Sequence, residues 1–265
     1  MSPSALSQGL AELERRVGVA LFERDGRRRP IHPSAAPVVG HARQVLGLTG
    51  DLADWAERLR LGREGRLRLG MIDAAAVGHH SEMVATFRAE RPDVELLLRV
   101  APSATLIHLL IAGELDLVVC VAPPSTIGGI DTVALLTEDL AVYGPPGVTI
   151  GEPSTWGPWV LFPTGSHTRS VVVSALAQLG APIDVAAESH QPDVVREMVR
   201  LGSGWTVLPT MQAEHGDRPL AAGRPLTTRQ LVIATRSNSV RDPAVDDFAE
   251  RLVQAAALSA PHHDL

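Results

Sequence analysis

Residues 2–29, SPSALSQGLAELERRVGVALFERDGRRR, read as one helix with a small polar face that runs into a cluster of arginines. Ser2 suits an N-cap, Pro3 the first helical position and Gly18 the closing cap, so the spacing predicts a helix over 3–17. Leu6, Leu10, Leu13 and Val17 fall within a narrow arc of that helix. On the other side stand Ser4, Ser7, Gln8, Ala11 and Arg15, short enough to let a helix approach a major groove and hydrogen-bond to base edges or phosphates. Taken alone, this is also the solvated face of any amphipathic helix. The sequel favours the first reading: Leu21 and Phe22 are apolar anchors, and Arg24, Arg27, Arg28 and Arg29 follow as a phosphate-binding turn. Residues 1–33 hold six Arg against Glu12, Glu14, Glu23 and Asp25, a balance of +2 in a chain whose net charge is -6. That asymmetry points to a polyanion at this end alone.

The pattern S-P-S-A-L-S-Q-x-L-x-x-L-E-x-x-x-G-V-x-L-F-E-R over 2–24 resembles the recognition helix and wing of the LysR-type transcriptional regulators. Ala5, Leu6, Ser7, Leu13, Glu14, Gly18, Leu21, Phe22 and Arg24 all stand at the family's spacing. His32 and Ala35 depart from it, standing where the family usually has Thr and Gly. The resemblance implies double-stranded promoter DNA as a partner, contacted by Ser2, Ser4, Ser7, Gln8, Arg15, Arg24, Arg27, Arg28 and Arg29. Family members carry two further helices ahead of this one. We therefore expect a partial winged helix-turn-helix over 1–33, arising from a misplaced start that in-frame translation upstream would reveal. The alternative is a true truncation that leaves a ligand-binding or oligomerisation protein without DNA binding.

Composition bounds the rest. A chain of 265 residues exceeds one ordinary core, and 45% hydrophobic residues suffice for two or three. No apolar run approaches the roughly 18 residues of a membrane span, and no signal-peptide core opens the chain, so no membrane partner and a cytoplasmic location are expected. An exported solute-binding protein is disfavoured on the same ground. Cys120, the single cysteine, lies in the apolar run LVVCV and reads as a small buried hydrophobe. All 24 basic residues are Arg, which fits a GC-rich genome.

From Ser34 to Leu61 a heptad appears in Val38, Ala42, Val45, Thr49, Leu52, Ala56 and Leu59. It predicts a linker helix, over 34–62, that pairs with a second copy or lies along its own domain; Gly40, Gly47 and Gly50 weaken its intrinsic helicity. The resemblance implies pairing, in a homodimer or homotetramer.

Beyond Gly62 short apolar strands alternate with helical patterns, which means parallel α/β units. One series takes LRLGMI (67–72), a helix over 79–90, VELLLRV (94–100), a helix over 104–113 and LDLVVCV (115–121). The second takes WVLFP (159–163), a helix over 169–179, VAAES (185–189), a helix over 193–202 and WTVLP (205–209). LAVYGP (140–145) and QLVIATR (230–236) are candidate crossovers, and a helix over 243–257 returns to the first half. The expected fold is α/β: a partial winged helix-turn-helix, a long linker helix and two Rossmann-like subdomains, 63–142 with 235–258 returning and 143–234, before a tail at 259–265. The pair resembles the family's effector-binding domain, of periplasmic-binding-protein type.

Ligands of such folds settle at the carboxyl ends of strands, beside helix N-termini. The candidate effector residues are Asp73 and Ala74 after the first strand, Val121, the turn Gly165, Ser166, His167 and Thr168, and Ser189 with His190. Gly165 to Arg169 resembles the family's G-S-x-T-R turn, which binds small, often carboxylate, effectors; Ser and Thr there are also ordinary caps. Asp73 and Ala74 stand where the family commonly has Ser or Thr. A carboxylate there repels another, so a neutral or amine-bearing effector is expected.

Catalysis and metal binding find little support. Ser166 beside His167 lacks a nucleophile elbow and an acid partner, and His79-His80 and His262-His263 lack the spacing of a ligand helix. No dinucleotide or Walker glycines appear, so no cofactor is expected beyond a small-molecule effector of unidentified kind. Trp156 and Trp159 read as packing residues.

Overall fold

A computed structural model describes residues 2–23, 30–61, 65–215 and 218–259. Helix α1 spans Pro3–Val17; the Ser2 hydroxyl accepts from the Ala5 N–H, and Gly18, at φ 77°, donates its N–H to the Glu14 carbonyl. Glycine meets no Cβ penalty in that left-handed cap. Glu14 then folds the chain back, its Oε1 accepting from the N–H groups of Leu21 and Phe22. Phe22 bridges Ile31 antiparallel, closing the base of a wing. His32 caps the short 3-10 turn Pro33–Ala35, with Ala35 fully buried.

Helix α2, Ala36–Leu61, shows two faces. Gln44, Gly47 and Asp51 meet the chain's own body: Gln44 donates to the Gly128 carbonyl, and a Cβ on Gly47 would lie 2.9 Å from the Ile111 carbonyl oxygen. Only glycine allows so close an approach. The heptad residues Val45 and Leu52, with Trp55 beside them, are exposed on the outer side. Leu59 has no described side chain.

The body repeats one plan twice. Its first lobe contains β1 (Arg66–Met71), β2 (Glu95–Val100) and β3 (Leu117–Val121), all parallel in the order β2-β1-β3, with α3 (Ser81–Glu90) and α4 (Ser103–Ile111) as crossovers. The second contains β5 (Trp159–Leu161), β6 (Val185–Glu188) and β7 (Thr206–Pro209), with α5 (His167–Gln178), α6 (Pro192–Arg200) and the short α7 (Thr210–Ala213). Strand β5 pairs with β6, and a parallel bridge from Trp159 to Trp205 sets β5 beside β7. The long strands β4 (Ile130–Tyr143) and β8 (Arg224–Arg236) pair antiparallel and join the lobes: β8 flanks β3, while β4 flanks β7. Helix α8, Pro243–Ser259, returns to the first lobe, where Phe248 meets Phe87 edge-on with ring centroids 5.0 Å apart.

Three local expectations are corrected. The crossovers are not short segments: LAVYGP holds only the end of β4, and QLVIATR only the second half of β8. Their earlier residues, 130–139 and 224–229, mix exposed and buried positions without a two-residue alternation, so periodicity missed them; the β4·β8 ladder of backbone hydrogen bonds orders them instead. The helix expected from His79 begins as a π-turn over Ala74–His79, followed by α3.

Each lobe has its own apolar core. Met71, Phe87, Leu117 and Phe248 are buried in the first; Trp156, Trp159 and Trp205 cluster in the second, with Trp156 stacked on Trp205 at 6.3 Å. Trp156 and Trp159 thus pack the core as expected. Cys120 is fully buried, which pushes its thiol up to about 12.

Candidate functional site

Strand ends of both lobes converge on one cavity of about 290 Å3. From the first lobe come Asp73 and Ala74 after β1, Ser103 after β2 and Val121 closing β3. The second lobe contributes Ser166 and Thr168 at the start of α5, His190 ahead of α6 and Gln212 of α7; Arg229 comes from β8. Each lobe is wound so that its helices start where its parallel strands finish, which brings the starts of α4 and α5 to the same space.

Six of the nine effector candidates line it: Asp73, Ala74, Val121, Ser166, Thr168 and His190. Gly165, His167 and Ser189 do not, and each has a supporting part. Gly165 turns the chain at φ 89°; His167 donates from Nδ1 to the Val121 carbonyl at 3.0 Å, tying the lobes together; the Ser189 hydroxyl accepts from the Gln191 N–H. Ser166 caps α5 by accepting from the Arg169 N–H. Ser166 and His167 therefore address different partners.

Charge in the cavity is arranged by a buried chain. Arg229, only 5% exposed, donates from Nε to Glu138 at 2.6 Å and from Nη1 to the Thr168 hydroxyl at 2.7 Å. His79 Nε2 meets the other Glu138 oxygen at 2.7 Å. Burial works to raise the Glu138 carboxyl, but the hydrogen bond from His79 and the Arg229 guanidinium outweigh it and hold the carboxyl below its usual range. His80, buried next to this chain, is driven down to about 4, first by burial and then by the charge of His79.

Asp73 sits at the rim and accepts from Gln212 Nε2 at 2.9 Å, a bond that spans the two lobes. Burial and the neighbouring Asp193 carboxylate raise its pKa, against the pull of Gln212. Oε1 of Gln212 is buried without a hydrogen-bond partner among the described residues.

Ser103, Gln212 and Arg229 were not foreseen. Pro102-Ser103 repeats the strand-to-helix corner used elsewhere and could have been found by that rule. A charged Arg229 beside the apolar run of β8, and Glu138 as its cross-strand partner, were a weaker signal. Gln212 carried none.

At the other end of the molecule Ser2, Ser4, Ser7 and Gln8 are exposed on α1. Arg15 is exposed too, and its guanidinium holds Glu12 at 2.6 Å. Arg24, Arg27, Arg28 and Arg29 lie outside the described residues, as does the His262-His263 pair. No described helix is long and apolar enough to cross a membrane, and no cluster of metal-ligating side chains occurs among the described residues.

A head with a helix and wing, a stalk and a two-lobed body around a ligand-sized cleft define the class of ligand-responsive DNA-binding regulators. A family model for the LysR substrate binding domain matches residues 60–257, and one for the bacterial regulatory helix-turn-helix protein of the lysR family matches 1–36. The chain belongs to the LysR family of transcriptional regulators and carries its effector-binding domain. It is 25% identical to the transcriptional dual regulator GltC of Bacillus subtilis over 95% of this chain and 87% of that protein. The effector binding domain of QuiR in complex with shikimate superposes with a TM-score of 0.65 at 16% identity, covering 74% of this chain and 99% of that one. Full-length CbnR in complex with its target DNA gives 0.58 at 18% identity, covering 97% and 91%.

Proposed function

We propose that this regulator reads double-stranded DNA through Ser4, Ser7 and Gln8 of α1, with Ser2, Arg15, Arg24, Arg27, Arg28 and Arg29 on the phosphates. A small molecule in the interlobe cavity changes the pose of paired heads. The division that goes with this is a head over 1–33, a linker over 34–62, lobes over 63–142 with 235–258 and over 143–234, and a tail at 259–265. The exposed face of Val45 and Leu52 supports pairing of α2 with a second copy, as a dimer or tetramer. The protein acts in the cytoplasm and is not an enzyme: its cavity hydroxyls are engaged as caps and hydrogen-bond acceptors rather than activated by a base.

The reading is carried by a cavity to which both lobes and a crossover strand contribute. A ligand that contacts both lobes changes their angle, and a coupling of about 1–3 kcal/mol suffices to change promoter occupancy several-fold or more. Mobility shifts on DNA flanking the gene, at two salt concentrations, test it: affinity should fall steeply with salt and move on adding ligand. Retained ligand binding with no DNA shift at either salt would instead favour a ligand-binding protein without a DNA reader, a reading that the exposed Leu6, Leu13 and Val17 of α1 support.

A further inference from the structure

The cavity presents hydrogen-bond donors and an anionic acceptor together. The hydroxyl oxygens of Ser103, Ser166 and Thr168 already accept one hydrogen bond each, from the Val121 N–H, the Arg169 N–H and Arg229 Nη1. Their own protons are thereby left to donate. With the Arg229 guanidinium they form a wall of donors at the starts of α4 and α5. The same cavity also carries an anionic acceptor, the exposed Asp73 carboxylate, which takes one hydrogen bond from Gln212 Nε2.

Charge is divided between them. Glu138 balances Arg229 at 2.6 Å, so the donor wall recognises an anion by hydrogen bonds with little net charge. Among the described residues the charged neighbour of Asp73 is Asp193, and its hydrogen-bond donor is the neutral Gln212. A bare carboxylate satisfies the donors and meets Asp73 with repulsion. A bare amine satisfies Asp73 and leaves the donor wall unpaired. Groups of both kinds on one small molecule satisfy all of them, and a volume near the bottom of the range for ligand pockets sets its size.

We propose that the cavity ligand is a small zwitterion, an amino acid whose carboxylate meets Arg229, Ser103, Ser166 and Thr168 and whose ammonium meets Asp73. This rests on the reading of the cavity as the effector site.

Isothermal titration of the full chain tests it with the common amino acids, each compared with the acid lacking its amine and the amine lacking its carboxylate. At least one amino acid binds about tenfold or more tightly than both partial molecules. In Asp73→Asn that amino acid loses its advantage over its deaminated acid, while the acid, freed of the Asp73 repulsion, binds at least as tightly as before. An acid that binds the wild type as tightly as its amino acid, an Asp73→Asn variant that keeps the preference, or no binding by any amino acid overturns the proposal. The His190 imidazole resonance reports the site separately. A ligand that moves it but ignores Asp73→Asn leaves the cavity standing and removes the zwitterion; a ligand that binds without moving it removes the cavity reading itself.

Discussion

Arg229 and Arg236 lie seven residues apart on β8, each 5% exposed and each paired with a carboxylate, yet their surroundings differ in kind. Arg236 is closed off. It grips Asp51 of the linker helix at 2.7 and 3.1 Å, and the carbonyls of Leu110 in the last turn of α4 and of Leu115 just ahead of β3 accept from its Nη1. Arg68 and Asp116 complete the cluster, with their own contact at 2.6 Å. Arg229 is held by Glu138 and Thr168 but forms part of a cavity wall. One strand therefore carries a structural clamp at the stalk and a recognition group at the cleft. A buried charge is costly unless its partners are complete, so the complete set fastens and the set facing space is fitted to receive a ligand.

The sharpest way to break this contrast is Arg236→Ala. It leaves the buried Asp51 with only Arg68, at 3.6 Å, and should cost about 3 kcal/mol or more, read as a lower urea midpoint that no cavity ligand restores beyond its effect on wild type. Glu138→Gln should cost about 3 kcal/mol, the lower end of the same range, because Arg229 keeps Thr168 and its opening to the cavity. Here a carboxylate ligand should recover more stability than it gives the wild type. Equal costs and equal rescue at the two sites would erase the distinction.

Acid should separate the two ends further. His80 has a folded pKa of about 4 against an ordinary 6.5, so it is required neutral; its contribution is complete above 6.5 and is lost as pH falls towards 4. The loss approaches about 3 kcal/mol in full, and His80→Phe should remove that slope from stability measured against pH. Glu138, held below its usual range, adds stability that disappears as pH falls through its folded value. Asp51 runs the other way: burial raises it despite Arg236, with Asp116 assisting, so protonation relieves a cost at the clamp. Hydrogen exchange should show the cleft opening in acid before the stalk contact does.

The smallest effect belongs to Leu52→Lys on the outer face of α2. It touches nothing in the clamp and should change unfolding by under about 0.5 kcal/mol, while sedimentation velocity should show weaker self-association through the proposed pairing of α2. An unchanged dimer would place pairing elsewhere.

The amino-terminal helix was readable because its determinants are local. Ser2 and Gly18 set its ends by hydrogen bonds within a few residues and Pro3 by its fixed φ, and the alternation of apolar runs with helical periods announced two α/β lobes in the same manner. The linker was readable as a helix but not in its attachment: Gly47 signalled weak helicity, whereas in the fold it is the point of closest approach to the body. Asp51 gave no hint that its partner stood 185 residues away.

Residue type and spacing alone thus determined the elements, their order and three of the corners where a ligand could sit, since capping and periodicity act over one or two turns. Tertiary structure alone decided that Ser103, Gln212 and Arg229 share one cavity with Asp73, and that Glu138 neutralises the arginine there. Such contacts join segments far apart in the chain, and the pairing of β4 with β8 is what brings them within hydrogen-bonding distance.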